Sequence, residues 1–228
     1  MFQNLIDIVA APSAAFARLK EKPSVLFPLL LVLLAICSVQ VGYILLTDRG
    51  FLIEQQLEQA EALVGNMSDE QRGQAEENMR NTSTTALLLN AGVTTAIFTF
   101  LIIALYALYL RIVSKFSFVE YGWKAWLSLL SWTSIPLVFG AIASWVVLLT
   151  SSNGQVPMLE LNPLNFSYLL GLGITSGPLS QIGPLHLWSF ALLALGYQHW
   201  TKKSLPSSAL ISLGPYLLIF GLWGFFSL

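Results

Sequence analysis

The chain has 228 residues, of which 55% are hydrophobic and only 10% charged, with a formal net charge of -1. A water-soluble domain of this size cannot hide so much apolar surface, and no basic patch is large enough to suggest a nucleic-acid partner. A single cysteine, Cys37, excludes intramolecular disulfides, zinc clusters and iron–sulfur ligation by count alone, and it reads as a small buried hydrophobe.

Residues 1–22 are polar enough for an aqueous or interfacial setting, yet Phe2, Leu5, Ile6, Val9, Phe16 and Leu19 recur at near-helical spacing. Two short amphipathic turns on the cytoplasmic surface are expected, with Pro12 opening the second. Arg18, Lys20 and Lys22 then anchor the first span, residues 25–46, on the inside. No cleavable signal peptide is expected, because the first apolar run begins only after Pro23 and reaches Asp48 without a small-residue cleavage site.

Residues 51–85 form the one sizeable aqueous segment, rich in Glu and Asp. Ile53, Leu57, Ala60, Val64 and Met67 step by three and four, which predicts an amphipathic helix. After a turn at Gly65 and Asn66, Ser68 followed by Gln71 resembles a capping box that starts a second helix. The result is an extracytoplasmic acidic helical hairpin, its charged face either a solvated surface or a docking site for cations or a basic partner.

The second span covers residues 86–110, closed by Arg111 and Lys115. Glu120 and Lys124 sit in the short inner connection, one helical step apart, and suggest either a structural ion pair or an inner-face docking point. The third span, residues 126–150, contains Ser131, Thr133, Ser134 and Pro136. Pro136 frees a carbonyl about one turn back, toward Trp132; either the neighbouring hydroxyls bond it, or the patch is a hinge or a polar cavity lining.

Residues 151–182 form an outer interfacial segment, in which the Gly- and Pro-rich stretch 171–183 is either a surface loop or a re-entrant element. The fourth span is residues 184–200, with His186 near its outer end and Gln198 near its inner end, followed by Lys202 and Lys203. His186 lacks a carboxylate or cysteine at ligand spacing, so a packing role competes with a cavity role. The fifth span, residues 207–228, carries Pro215 inside and ends outside. Eight of the eleven basic residues fall on the cytoplasmic side of this plan.

The residues thus predict an all-α polytopic membrane protein: one membrane domain over residues 1–228, five transmembrane helices, and a helical hairpin after the first span. The opening stretch Ala11-Pro12 through Phe16, Leu19 to Pro23 and Phe27-Pro28 carries a likeness to a known family. So do Ile135-Pro136, Asn162-Pro163, Leu169-Leu170, Leu187-Trp188, Leu195-Gly196 and Thr201. Together they resemble bacterial members of the Yip family, named for eukaryotic proteins that interact with Rab-type GTPases. The resemblance covers nearly the whole chain and implies an integral protein of the bacterial inner membrane without established enzymatic chemistry. A Rab-type GTPase partner is not expected, because no acidic N-terminal arm is present.

An enzyme needs groups that exchange protons, attack, or hold a metal. The expected spans contain no Asp, Glu, Lys or Arg, and no protease, phosphate-loop or nucleophile–base pattern occurs. The chain therefore reads as a non-enzymatic scaffold, accessory subunit or membrane-organising protein without cofactors. Its partners are the lipid bilayer and either a second copy or another membrane protein. The alternative is a small transporter or channel for an ion or polar solute, using Ser134, Pro136, His186 and Gln198.

Overall fold

In a medium without water, a backbone must satisfy its own hydrogen bonds, and a single chain segment does so as a helix. The computed structural model describes residues 2–65, 67–116, 118–172 and 177–226, and among these every regular element is helical. In chain order they are α1 (Phe2–Ala10), α2 (Pro12–Glu21), α3 (Leu26–Leu46), α4 (Arg49–Val64), α5 (Asp69–Asn81) and α6 (Thr84–Lys115). There follow α7 (Trp123–Thr133), α8 (Leu137–Thr150), α9 (Phe166–Leu169), α10 (Pro184–Thr201) and α11 (Leu205–Phe226). The expected turn residue Asn66, part of the 171–183 stretch and the terminal Leu228 lie outside the described residues.

Three helices, α3, α6 and α11, are long and apolar enough to cross a membrane, and the pair α7–α8, bent by 40°, counts as a fourth if it is one broken span. Only 17% of the apolar window of α6 and 6% of that of α11 is buried within the protein. Such surfaces are stable only against lipid or another apolar partner. α10 has 18 residues and lies outside this strongly apolar class. Its position explains why: it packs against α2, α7, α8 and α11, so its surroundings are protein more than lipid.

The N-terminal segment departs from the expected surface-lying turns. Pro12 does open α2, but Ile8, Ala15, Phe16 and Leu19 are completely buried in the main core, whereas Phe2 and Ile6 are exposed. Gly196 of α10 creates the space that α2 fills: a Cβ there would lie 2.6 Å from Leu129 Cδ1 and 3.1 Å from Phe16 Cε1. The indole nitrogen of Trp200 donates to the Phe16 carbonyl at 3.0 Å. Asp7 pairs with Arg18, which also donates to Asn4 Oδ1 at 2.7 Å, so α1 is held against α2. Trp126, Tyr197, Trp200 and Tyr121 pack around this plug, with Trp126–Trp200 and Tyr121–Trp200 ring centroids each 5.3 Å apart.

At the opposite end, the chain leaves α3 through Asp48, whose carboxylate caps α4 by accepting from the Phe51 amide at 3.1 Å. The Ser68–Gln71 capping box expected at the second helix is present at the start of α5. Arg49 closes the hairpin by donating to the carbonyls of Met79, at 2.7 Å, and Thr82. A cation at the carbonyl end of α5 also complements its dipole. Leu52 of α4 then packs with Val39, Tyr43, Leu148 and Leu161, which ties the hairpin to the bundle.

The segment after α8 is pinned to the same end. Tyr43 donates its hydroxyl to the Val156 carbonyl at 2.8 Å, and Thr47 Oγ1 donates to that of Gly154 at 3.0 Å. Gly154 has φ +64°, and a Cβ on it would stand 2.8 Å from the Leu46 carbonyl oxygen, so only glycine fits this approach. Helix α6 runs past its expected end at residue 110 to Lys115, 32 residues or about 48 Å. Arg111 and Lys115 close the expected span, but both are good helix formers and do not stop a helix.

Candidate functional site

The polar patch of the third span proves to be mostly structural. Pro136 has no N–H to give to the Trp132 carbonyl, and the helix breaks into α7 and α8 around it. The freed carbonyl is taken by the amide of Ile135, at 3.2 Å, rather than by the hydroxyls. Those bond further back: Ser131 Oγ donates to Leu127 at 2.8 Å, while Thr133 Oγ1 and Ser134 Oγ donate to Leu130 at 3.2 and 2.9 Å. Ser131 and Thr133 are buried and Ser134 is partly buried. Each hydroxyl has therefore spent its one proton on its own helix.

A cavity of about 180 Å³ opens instead on the α8 side of the break, between α3, α8, the N-terminal end of α10 and the 162–164 turn. Its walls are aliphatic, from Ile36, Val39, Leu137, Leu164 and Leu185, and its polar groups are Gln40, Ser144, Asn162 and His186. Gly140 keeps it open, since a Cβ there would already touch Leu185 Cδ1 at 3.4 Å. Gly183 sets the mouth. Its backbone passes so close to the 162–164 turn that a Cβ would fall 1.8 Å from the Leu164 carbonyl oxygen, and the Phe166 amide bonds the Ile182 carbonyl at 2.8 Å. His186 follows in the first turn of α10, its Nδ1 accepting from the Gly183 amide at 3.3 Å.

His186 thus lines a cavity, but Ser131, Thr133, Ser134, Pro136 and Gln198 are not among that cavity's lining residues. Gln198 lies twelve residues along α10 from His186, about 18 Å away along the helix axis. It belongs to the opposite end of the bundle, one residue from His199, whose ring packs on Phe16 at 6.3 Å.

Glu120 and Lys124, expected at an inner face, do not form the helical pair expected of them. Glu120 is in the loop after α6, Gly122 caps α7, and only Lys124 is helical, so the i, i+4 geometry does not exist. Among the described residues no ion pair joins them. Glu120 lines a separate concavity with Arg111, Lys115 and Tyr121.

Two constellations escaped sequence reading because each joins residues about a hundred positions apart. Ser24, just before α3, exchanges hydrogen bonds with Ser128 of α7: Ser128 Oγ donates to the Ser24 carbonyl at 2.9 Å and accepts from its amide at 3.1 Å. The Trp132 indole nitrogen reaches the same carbonyl at 2.9 Å. In the other, Tyr109 of α6 donates to the Ile211 carbonyl of α11 at 2.8 Å, and Tyr106 to that of Ser212 at 2.7 Å. Ile211 is the residue whose helical donor Pro215 removes, so a phenol replaces a missing amide.

No group of three or more His, Cys, Asp or Glu side chains able to hold a metal occurs among the described residues. A family model described as the Yip1 domain matches residues 6–227. No curated protein and no solved structure matches the chain.

Proposed function

The chain belongs to the Yip1-domain family, so it is a non-enzymatic, multi-pass integral membrane protein; from that premise we propose that it serves as a membrane scaffold or accessory subunit. The observation that carries this reading is the use made of polar groups at membrane depth. Ser128 and Trp132 tie α7 to Ser24 at the start of α3, Tyr106 and Tyr109 tie α6 to α11, and Ser131, Thr133 and Ser134 donate to the Leu127 and Leu130 carbonyls of their own helix. Polar groups committed in this way hold a bundle together and leave little for conduction.

In this reading α3, α6, the bent α7–α8 pair, α10 and α11 are five spans in a bacterial inner membrane. The N-terminus is cytoplasmic, and the α4–α5 hairpin and the C-terminus are extracytoplasmic. The basic residues at the inner ends of the spans support the orientation. The lightly covered faces of α6 and α11 favour a second copy or another membrane protein as partner. The break at Pro136 acts as a packing hinge, and Glu120 and Lys124 contribute separately to an inner docking face. A Rab-type GTPase is not proposed, because α1 and α2 are short and folded onto the core.

Purification from native membranes in mild detergent tests the proposal. A stoichiometric membrane-protein partner or a stable homo-oligomer is expected; a lone chain that carries ions or small polar solutes across liposomes would overturn it in favour of transport.

A further inference from the structure

The cavity beside α8 holds hydrogen-bonding capacity that the fold itself does not use. Ser144 is only 6% exposed, yet its hydroxyl makes no hydrogen bond among the described residues, unlike Ser131 and Ser134 one turn beyond the break. The Gln40 amide is likewise uncommitted. Asn162 accepts the Leu164 amide at Oδ1, which leaves its NH₂ group, and His186 engages only Nδ1, which leaves Nε2. All four line one cavity. Trp126 Nε1 and the hydroxyls of Ser189, Ser208 and Ser212 also lack hydrogen-bond partners among the described residues, but these atoms are fully buried, whereas Ser144 lines open space.

Depth and wall chemistry restrict what can enter. Gln40 precedes the end of α3 by six residues and Ser144 precedes the end of α8 by six, so both lie about 9 Å inside the ends of their helices. No Lys, Arg, Asp or Glu lines the cavity, which removes a counter-ion for a phosphate, carboxylate or ammonium group. Water alone would satisfy the polar groups and leave the aliphatic walls of Ile36, Val39, Leu137 and Leu185 wetted. The occupant that suits both surfaces has an apolar body and an uncharged polar end.

We propose that this cavity binds an uncharged amphiphile drawn from the half of the bilayer nearer the α4–α5 hairpin, with a hydroxyl or amide end held by Gln40, Ser144, Asn162 and His186. The mixed donors and acceptors of Gln40 and Ser144 suit a hydroxyl, which must both give and receive. Gly140 and Gly183 are the space-makers: the first leaves room for the body, the second brings the turn bearing Asn162 over the polar end. The site stands whether or not the protein is a scaffold, because it requires only the bundle.

Photolabelling tests it in phosphatidylcholine nanodiscs holding the full chain, with two probes: a diazirine-bearing octanol and the matching diazirine-bearing octane. The alcohol should label the 137–144 and 185–186 segments saturably, be displaced by excess octanol, and exceed the alkane there by about fivefold, the worth of one hydroxyl hydrogen bond in an apolar site. Labelling of α11, which faces lipid, should be alike for both probes and unsaturable. The double variant Gln40→Leu, Ser144→Ala should lower cavity labelling by the alcohol to the level of the alkane and leave α11 labelling unchanged. Ser144→Ala alone removes an unsatisfied hydroxyl, so it should fold at least as well as the parent and still lose part of the labelling. Equal labelling of the cavity by both probes, unsaturable labelling, or an unchanged Ser144→Ala variant would each overturn the proposal and leave water as the occupant.

Discussion

The proline inside α11 offers the sharpest test of how the bundle is held. Pro215 deprives the Ile211 carbonyl of its helical donor, and Tyr109 of α6 supplies a hydroxyl to that oxygen at 2.8 Å. Tyr109→Phe removes the donor and leaves a carbonyl poorly satisfied away from water, so it should cost roughly 1 kcal/mol, within the range for hydrogen bonds between membrane helices. In a Pro215→Ala background the helix regains an N–H at that position, and the same substitution should cost at most a few tenths of a kcal/mol. The coupling between residues 109 and 215 is then most of the hydrogen bond. Tyr106→Phe is the control: the Ser212 carbonyl keeps its own helical donor, so the cost of losing the Tyr106 hydroxyl should be alike in both backgrounds. Reversible unfolding in mixed detergent and dodecyl sulfate measures all four differences. Equal costs for Tyr109→Phe with and without Pro215 would refute the account of the phenol as a replacement for the missing amide.

Two further substitutions probe the end of the bundle that carries the hairpin. Arg49→Ala removes the two donations to carbonyls at the end of α5 and its cap and should raise hydrogen exchange across residues 69–81 several-fold; exchange in α10 should not change, because α10 packs instead against α2, α7, α8 and α11. Gly183→Ala places a carbon 1.8 Å from the Leu164 carbonyl, which no side-chain rotation relieves. It should lower the thermal midpoint by several degrees in a fluorescence-detected melt, with a loss of about 2 kcal/mol or more, whereas Gly73→Ala, where the added carbon meets nothing, should be neutral or slightly stabilising.

What could be read from the chain was local. The Ser68–Gln71 capping box, Pro12 at the start of α2 and the apolar runs of α3, α6 and α11 depend on spacings of a few residues, and each is found in the structure. Glu120 and Lys124 failed as a pair because their spacing is helical only if a helix is already there, and Gly122 starts it too late. Distance defeated the rest. Nothing near Pro215 announces Tyr109, and nothing near Ser144 announces that Gln40 and His186 meet it across a cavity. The burial of Phe16 was hidden for a similar reason, since its seat is made by a glycine 180 residues later in the chain.

The bend at Pro136 divides the polar groups of the third span by function. Below it, every residue of α7 from Ala125 to Thr133 is buried, and Ser128, Ser131 and Thr133 all bond backbone carbonyls. Above it, α8 buries only Ser144 and Leu148, and the Ser144 hydroxyl makes no hydrogen bond among the described residues. A straight helix would present one face throughout to the same neighbours, and the stripe leading to Gly140 and Ser144 would continue the packed stripe of α7. A 40° bend turns α8 away from that packing and lets the space beside Gly140 open between α3 and α10. Pro136 is thus a cause of the cavity without being part of its wall. The three hydroxyls around it do not rescue the carbonyl that Pro136 frees, which takes the Ile135 amide; Ser131, Thr133 and Ser134 place their own protons on the Leu127 and Leu130 carbonyls, so the bend leaves none of these donors unpaired in a medium that offers no water.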